Sequence, residues 1–153
     1  MLIINATANW RPTEQLRVAA SYVSQEYFRK TDRSTVGMRR IPRLKVEYQV
    51  SRPLFLRVVG QYDAQFQDSL RDDSRTGDPI LIRDSVTNTL VRAGTHTSKA
   101  LRVDWLLAYR PSPGTVIFAG YGSSLTEPDA FAFRGLHRIA DGFFLKASYL
   151  LRF

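Results

Sequence analysis

The sequence predicts an all-β chain folded as an antiparallel up-and-down meander of about seven strands. Apolar and polar residues alternate with period two in one segment after another, which is the signature of a strand with two unlike faces. Three Arg-Pro dipeptides close such segments, at Arg11-Pro12, Arg52-Pro53 and Arg110-Pro111. Proline cannot donate to a ladder, so each marks a strand end and a turn. No segment carries a convincing helical period.

Taken in order, strands are expected near 2–10, 15–29, 41–51, 54–68, 99–110, 115–125 and 142–153. In the second, Leu16, Val18, Ala20, Tyr22 and Phe28 share a side. In the third, Leu44, Val46, Tyr48 and Val50 oppose Arg43, Lys45, Glu47 and Gln49. The fourth sets Leu54, Leu56, Val58, Gly60, Tyr62, Ala64 and Phe66 against Arg57, Gln61, Asp63, Gln65 and Gln67. The fifth sets Leu101, Val103, Trp105, Leu107 and Tyr109 against Arg102 and Asp104. The phase of the sixth, TVIFAGYGSSL, is ambiguous because both sides are small or apolar. In the last, Phe143, Leu145, Ala147, Tyr149, Leu151 and Phe153 form one face, with Lys146 on the other.

The connections alternate between tight turns at the Arg-Pro sites and long stretches near 30–40, 69–98 and 126–141. In a meander this gathers every tight turn at one end of the sheet and every long loop at the other. Within 69–98, PILIR and NTLVR are expected to pair as a small hairpin.

Composition bounds the chemistry. The chain has 153 residues, no cysteine, 44% hydrophobic residues and a formal charge of +8. Disulfides, thiolate metal sites and cysteine nucleophiles are excluded. No window approaches the ~18 consecutive apolar residues of a membrane helix. Mean hydropathy of −0.23 is nevertheless compatible with membrane strands, whose hydrophobicity is hidden by alternation. The N-terminal residues lack the basic and apolar regions of a signal peptide.

Short turns at one end, long loops at the other and strands of ~10 residues with one apolar face describe an outer-membrane β-barrel. Its lumen side would carry Arg43, Lys45, Glu47, Arg57, Asp63, Arg102, Asp104 and Lys146, with opposite signs interleaved. Tyr and Trp favour the membrane–water interface. Trp10, Tyr48, Tyr109, Tyr149 and Phe153 are expected toward the tight-turn end, and Tyr22, Phe28, Phe66 and Tyr121 toward the long-loop end. The alternative is a soluble ligand-binding barrel of the lipocalin type, with the apolar face turned inward. Alternation alone fits both.

The alternating apolar C-terminus ending on Phe153 resembles the β-signal of bacterial outer-membrane proteins. That resemblance implies recognition by the barrel-assembly machinery and a periplasmic C-terminus. Bacterial single-chain barrels have even strand counts, so seven strands imply the C-terminal portion of a larger barrel whose remaining strands precede residue 1. Pro113-Gly114-Thr115, Gly120-Tyr121 and Lys146 to Phe153 resemble the end of the barrel domain of unknown function found in bacterial proteins with an N-terminal carbohydrate-binding module. The resemblance covers the last third of the chain and implies a pore, transporter or anchor in the bacterial outer membrane, with no cofactor and no catalysis. The last strands of an energy-coupled nutrient receptor are the alternative within the same class.

Other motifs carry less. His96 and His137 are expected in long loops, the latter near Asp141, with no catalytic motif around either. Asp72, Asp73 and Asp78 have calcium-binding side chains but lack the spacing of a known calcium loop. Gly120 and Gly122 are expected to permit close packing on the lumen side. Arg29, Lys30, Arg33, Arg39 and Arg40 make a basic loop without the stacking aromatics that nucleic acid requires. Phosphates of a lipopolysaccharide surface are its natural counter-charges.

Overall fold

The computed structural model describes residues 1–72 and 75–150, and among these there is no helix. Seven strands form one antiparallel sheet: β1 (Leu2–Trp10), β2 (Leu16–Phe28), β3 (Thr35–Ser51), β4 (Leu54–Gln67), β7 (His96–Ser112), β8 (Thr115–Thr126) and β9 (His137–Ser148). They lie side by side in chain order. Between β4 and β7, β5 (Leu81–Arg83) and β6 (Leu90–Arg92) form the expected hairpin as a separate two-stranded sheet. The sheet does not close: β1 pairs only with β2, and β9 only with β8.

Three strands begin earlier than the sequence pattern suggested. β3 starts at Thr35, β7 at His96 and β9 at His137. Charged and polar residues at these starts mimic loop composition, yet their backbones continue the ladder to Gln67, Gln67 and Thr126 respectively. The connection after β2 is therefore only 29–34, not a long loop. β8 and β9 pair Tyr121 with Phe143, and β7 pairs Trp105 with Tyr121. This settles the ambiguous phase of β8: Ile117, Ala119, Tyr121, Ser123 and Leu125 share the face of Trp105.

The strands are staggered. Leu16, the first residue of β2, stands level through Tyr48 with Leu56, two residues above the start of β4 at Leu54. Leu54 in turn faces Tyr109, above the end of β7 at Ser112. At the other end, β8 finishes at Thr126, level through Ala100 with Asp63, while β4 runs on to Gln67. The lower edge thus descends across the sheet, from Trp10, four residues above the level of Leu54, to Ser112, three below it, while the upper edge is level across β4 and β7, where Gln67 faces His96, and drops at β8.

A single sheet has no enclosed core. The buried apolar residues are Tyr62, Ala64, Ala93 and Ala108, and among the described residues none is less than 2% exposed. The accessible surface is 11396 Å², against about 7,900 Å² for a compact monomer of this mass.

Candidate functional site

Register places all eight predicted lumen charges on one face. Arg43, Gln61 and Arg102 stand in one cross-strand row, Lys45, Val59, Asp104 and Gly122 in the next, and Glu47, Arg57, Leu106 and Gly120 in the third. Asp63 lies on the same face above these rows, and Lys146 below them beside Phe118. Three ion pairs form: Lys45–Glu47 at 3.3 Å, Arg39–Asp63 at 2.6 Å and Arg102–Asp104 at 3.0 Å. An open depression of about 740 Å³ runs across this face, lined among others by Arg43, Lys45, Arg57, Arg102, Asp104 and Phe144. A side chain at Gly120 would strike the Phe144 ring, and one at Gly122 the Asp104 carboxylate. These glycines let Phe144 and Asp104 lie flat against the sheet.

The opposite face is an apolar band. On β4 it runs from Leu54 to Tyr62, and Ala64 above it is flanked by Arg40 and Lys99. That is five rows, ~27 Å along a strand, or ~20–22 Å in height at the tilt of an outer-membrane barrel. Leu44, Tyr48, Val58, Trp105, Tyr109, Phe143 and Leu145 on this face are all exposed. On β9 the band ends lower, at Asp141, which takes bonds from Arg138 and the Tyr121 hydroxyl, both at 3.1 Å.

The predicted interfacial aromatics are only partly at strand ends. Trp10 ends β1, Phe28 ends β2, Tyr48 lies near the end of β3, Phe66 near that of β4, and Tyr109 near that of β7. Tyr22 and Tyr121 stand mid-strand instead of at the long-loop end, because β2 and β8 continue well past them. Of the predicted assembly signal, Phe143, Leu145, Ala147 and Tyr149 are exposed; Leu151 and Phe153 lie outside the described residues.

The basic loop does not exist as a unit. Arg39 and Arg40 are inside β3, on opposite faces, paired with Asp63 and Glu26. Arg29 is buried, its side chain 3% exposed, with Nη1 on Asp68 at 2.8 Å and on the Ser34 hydroxyl at 2.9 Å. Its Nη2 donates to the Ser69 carbonyl at 2.9 Å. The hydrogen bond from Arg29 holds the Asp68 carboxyl below its ordinary value. Bonds from the Ser34 hydroxyl and amide do the same to Asp32. Of these five, Lys30 and Arg33 alone remain as exposed loop cations.

A feature with no sequence motif is the strap between β8 and β9. Glu127, 6% exposed, accepts the Tyr62 hydroxyl on Oε1 and the Phe133 amide on Oε2. The Phe131 amide donates to Tyr62 Oη at 3.1 Å. The rings of Phe131 and Phe133 pack 4.3 and 5.8 Å from that of Tyr62. The strap thereby crosses β7 on the apolar face and leaves Tyr62 only 3% exposed. Phe131 and Phe133 sit at φ 61° and 51°, a region costly for bulky side chains. Phe133 also walls an apolar trough of about 630 Å³, floored by Ala6, Ala8, Ala20 and Gly60. Alternating phenylalanines in a polar stretch are the only sequence trace of this contact.

His96 and His137 begin β7 and β9 and so are not in loops. Asp141 bonds Arg138 and Tyr121, and no bond joins it to His137. Asp72 and Asp78 meet through backbone, the Asp72 amide donating to the Asp78 carbonyl at 2.8 Å; Asp73 lies outside the described residues. Among the described residues no three acids or histidines gather as a metal site.

Comparison of the chain with protein-family models, curated proteins and solved structures gave no match.

Proposed function

We propose that this chain is a membrane-spanning segment of a bacterial outer-membrane β-barrel, serving as a pore, transporter or anchor. The observation that carries the proposal is the exposed apolar band, set back to back with a charged face on the same seven strands. An apolar surface of this extent needs lipid or protein against it. Unpaired strand edges are not tolerated in hydrocarbon, so β1 and β9 would be joined through further strands of the parent protein. The C-terminal resemblance to outer-membrane β-signals supports the same assignment and names the assembly machinery as a partner. An uncharacterised barrel accompanying a carbohydrate-binding module and an energy-coupled nutrient receptor are the two forms it allows.

One observation favours a soluble ligand-binding barrel instead. The strap roofs part of the apolar face beside the trough, as a lid does over an interior cavity. Fractionation of cells expressing the full-length protein decides between them. The membrane proposal expects outer-membrane recovery and extraction only with detergent. A detergent-free monomer of this chain that unfolds cooperatively rejects it.

A further inference from the structure

We infer that the charged face binds oxyanion groups, phosphate or carboxylate, of a solute, with Arg43 and Arg57 as the binding residues. The charge count on that face is unequal. Each of its carboxylates is already engaged: Glu47 by Lys45, Asp63 by Arg39 and Asp104 by Arg102. Arg17, Arg43, Arg57 and Lys146 stand on the same face by register and have no carboxylate partner among the described residues. Arg57 is opposite Glu47 in the ladder, yet Glu47 bonds Lys45. Asp141, at the rim of the depression, is likewise held by Arg138.

Arg43 and Arg57 are the two of these four that line the depression. Their surroundings favour an anion over solvent alone. Like charges gathered in a concavity raise the local concentration of the opposite ion. A guanidinium fork matches the geometry of phosphate and carboxylate in a way an ammonium does not. On the opposite wall Gly142 has open space within 4 Å of where a side chain would sit, which leaves room for the solute. Within a closed barrel, such a face acts as the arginine- and lysine-lined wall of an anion-preferring pore. The pore arm of the inference rests on the membrane proposal, and the binding arm does not.

The test uses the full-length protein in detergent micelles, with ¹⁵N-arginine side-chain NMR during titration with inorganic phosphate and, separately, citrate. The expected result is saturable movement of the Arg43 and Arg57 Nε–H signals, with Arg39 and Arg102 moving less. Which probe saturates first tells phosphate from carboxylate. Arg43→Gln and Arg57→Gln should each weaken binding about tenfold, and Arg43→Lys should restore only part of it. Shifts that grow linearly with concentration, or that persist unchanged in both glutamine variants, overturn the inference. In planar bilayers the same protein should pass chloride more readily than potassium, and the double glutamine variant should lose that preference. Conductance without ion preference, together with no saturable shift, rejects the anion site and leaves the barrel standing. Saturable binding by a detergent-free monomer keeps the site and rejects the barrel.

Discussion

The Arg29 guanidinium meets the Asp68 carboxylate at 2.8 Å, tying the turn after β2 to the chain leaving β4. Thirty-nine residues separate the two in sequence. The bond clamps one end of β3 between its neighbours, since Arg29 N also donates to the Ser34 carbonyl. With Ser34 and the Ser69 carbonyl as further acceptors, the arginine is held on several sides.

This clamp should respond to acid. Asp68 has its folded value depressed below 3.8, chiefly by the bond from Arg29. Its contribution is therefore full above that ordinary value and is lost as the pH falls through the lower folded one. Hydrogen exchange at 29–34 should accelerate on acidification, and Asp68→Asn should exchange fast at every pH. Unchanged protection in Asp68→Asn at neutral pH shows that the remaining bonds suffice.

Opposite faces should answer differently to substitution. Val58→Arg or Val103→Arg places a charge in the apolar band and should cost ~2–4 kcal/mol of stability in lipid. Arg57→Gln and Arg102→Gln should both be mild, the second because the Arg102–Asp104 pair is exposed and its loss leaves Asp104 in contact with solvent. Denaturant titration in lipid vesicles measures all four. Equal tolerance on both faces would remove the basis for the membrane assignment.

The strap depends on one hydroxyl. Tyr62→Phe removes the donor to Glu127 and the acceptor of the Phe131 amide, leaving buried groups unsatisfied at ~1–3 kcal/mol. Amides of Phe131 and Phe133 should then exchange many times faster while β4 and β7 stay protected. If the two amides keep their protection, ring packing alone holds the strap.

Two glycines should differ sharply. Gly114 has φ +90° and its missing side chain would press on Leu150 Cβ at 2.7 Å, so Gly114→Ala should be destabilising by ~1–2 kcal/mol. Gly60 opens onto the trough with nothing within 4 Å, so Gly60→Ala should be neutral or gain up to ~1 kcal/mol. Thermal unfolding of both variants side by side gives the comparison.

Phe153 offers a test of assembly as distinct from packing. Its deletion removes at most ~1.5–3 kcal/mol of burial. Insertion in cells should fall steeply, while refolding of the full-length variant into purified lipid should change little. Normal insertion in cells without Phe153 refutes the signal.

Both faces of the sheet were legible in the sequence because the side-chain period of a strand is two and does not depend on distant partners. The phase of β8 was not, since glycine and small residues leave no contrast, and only pairing with Trp105 fixed it. Arg39 and Arg40 disguised the start of β3 as a loop. Their partners, Asp63 and Glu26, lie on neighbouring strands, and charge in a window cannot reveal that. The strap was invisible for the same reason on a larger scale. Its central contact joins residues 65 apart, and it places two phenylalanines where aromatic side chains are seldom found.

The chain-order arrangement of the strands also bears on how the sheet is made. Each strand pairs with its neighbours in sequence, so it can be laid down hairpin by hairpin with a single growing edge. Short turns close quickly; the slow juncture is β4 with β7, where 28 residues must be bridged. The hairpin of β5 and β6 shortens that gap by folding locally. Glu127 meets Tyr62 across β7, so the strap fastens after β4, β7 and β8 have come together and certifies the join beneath it.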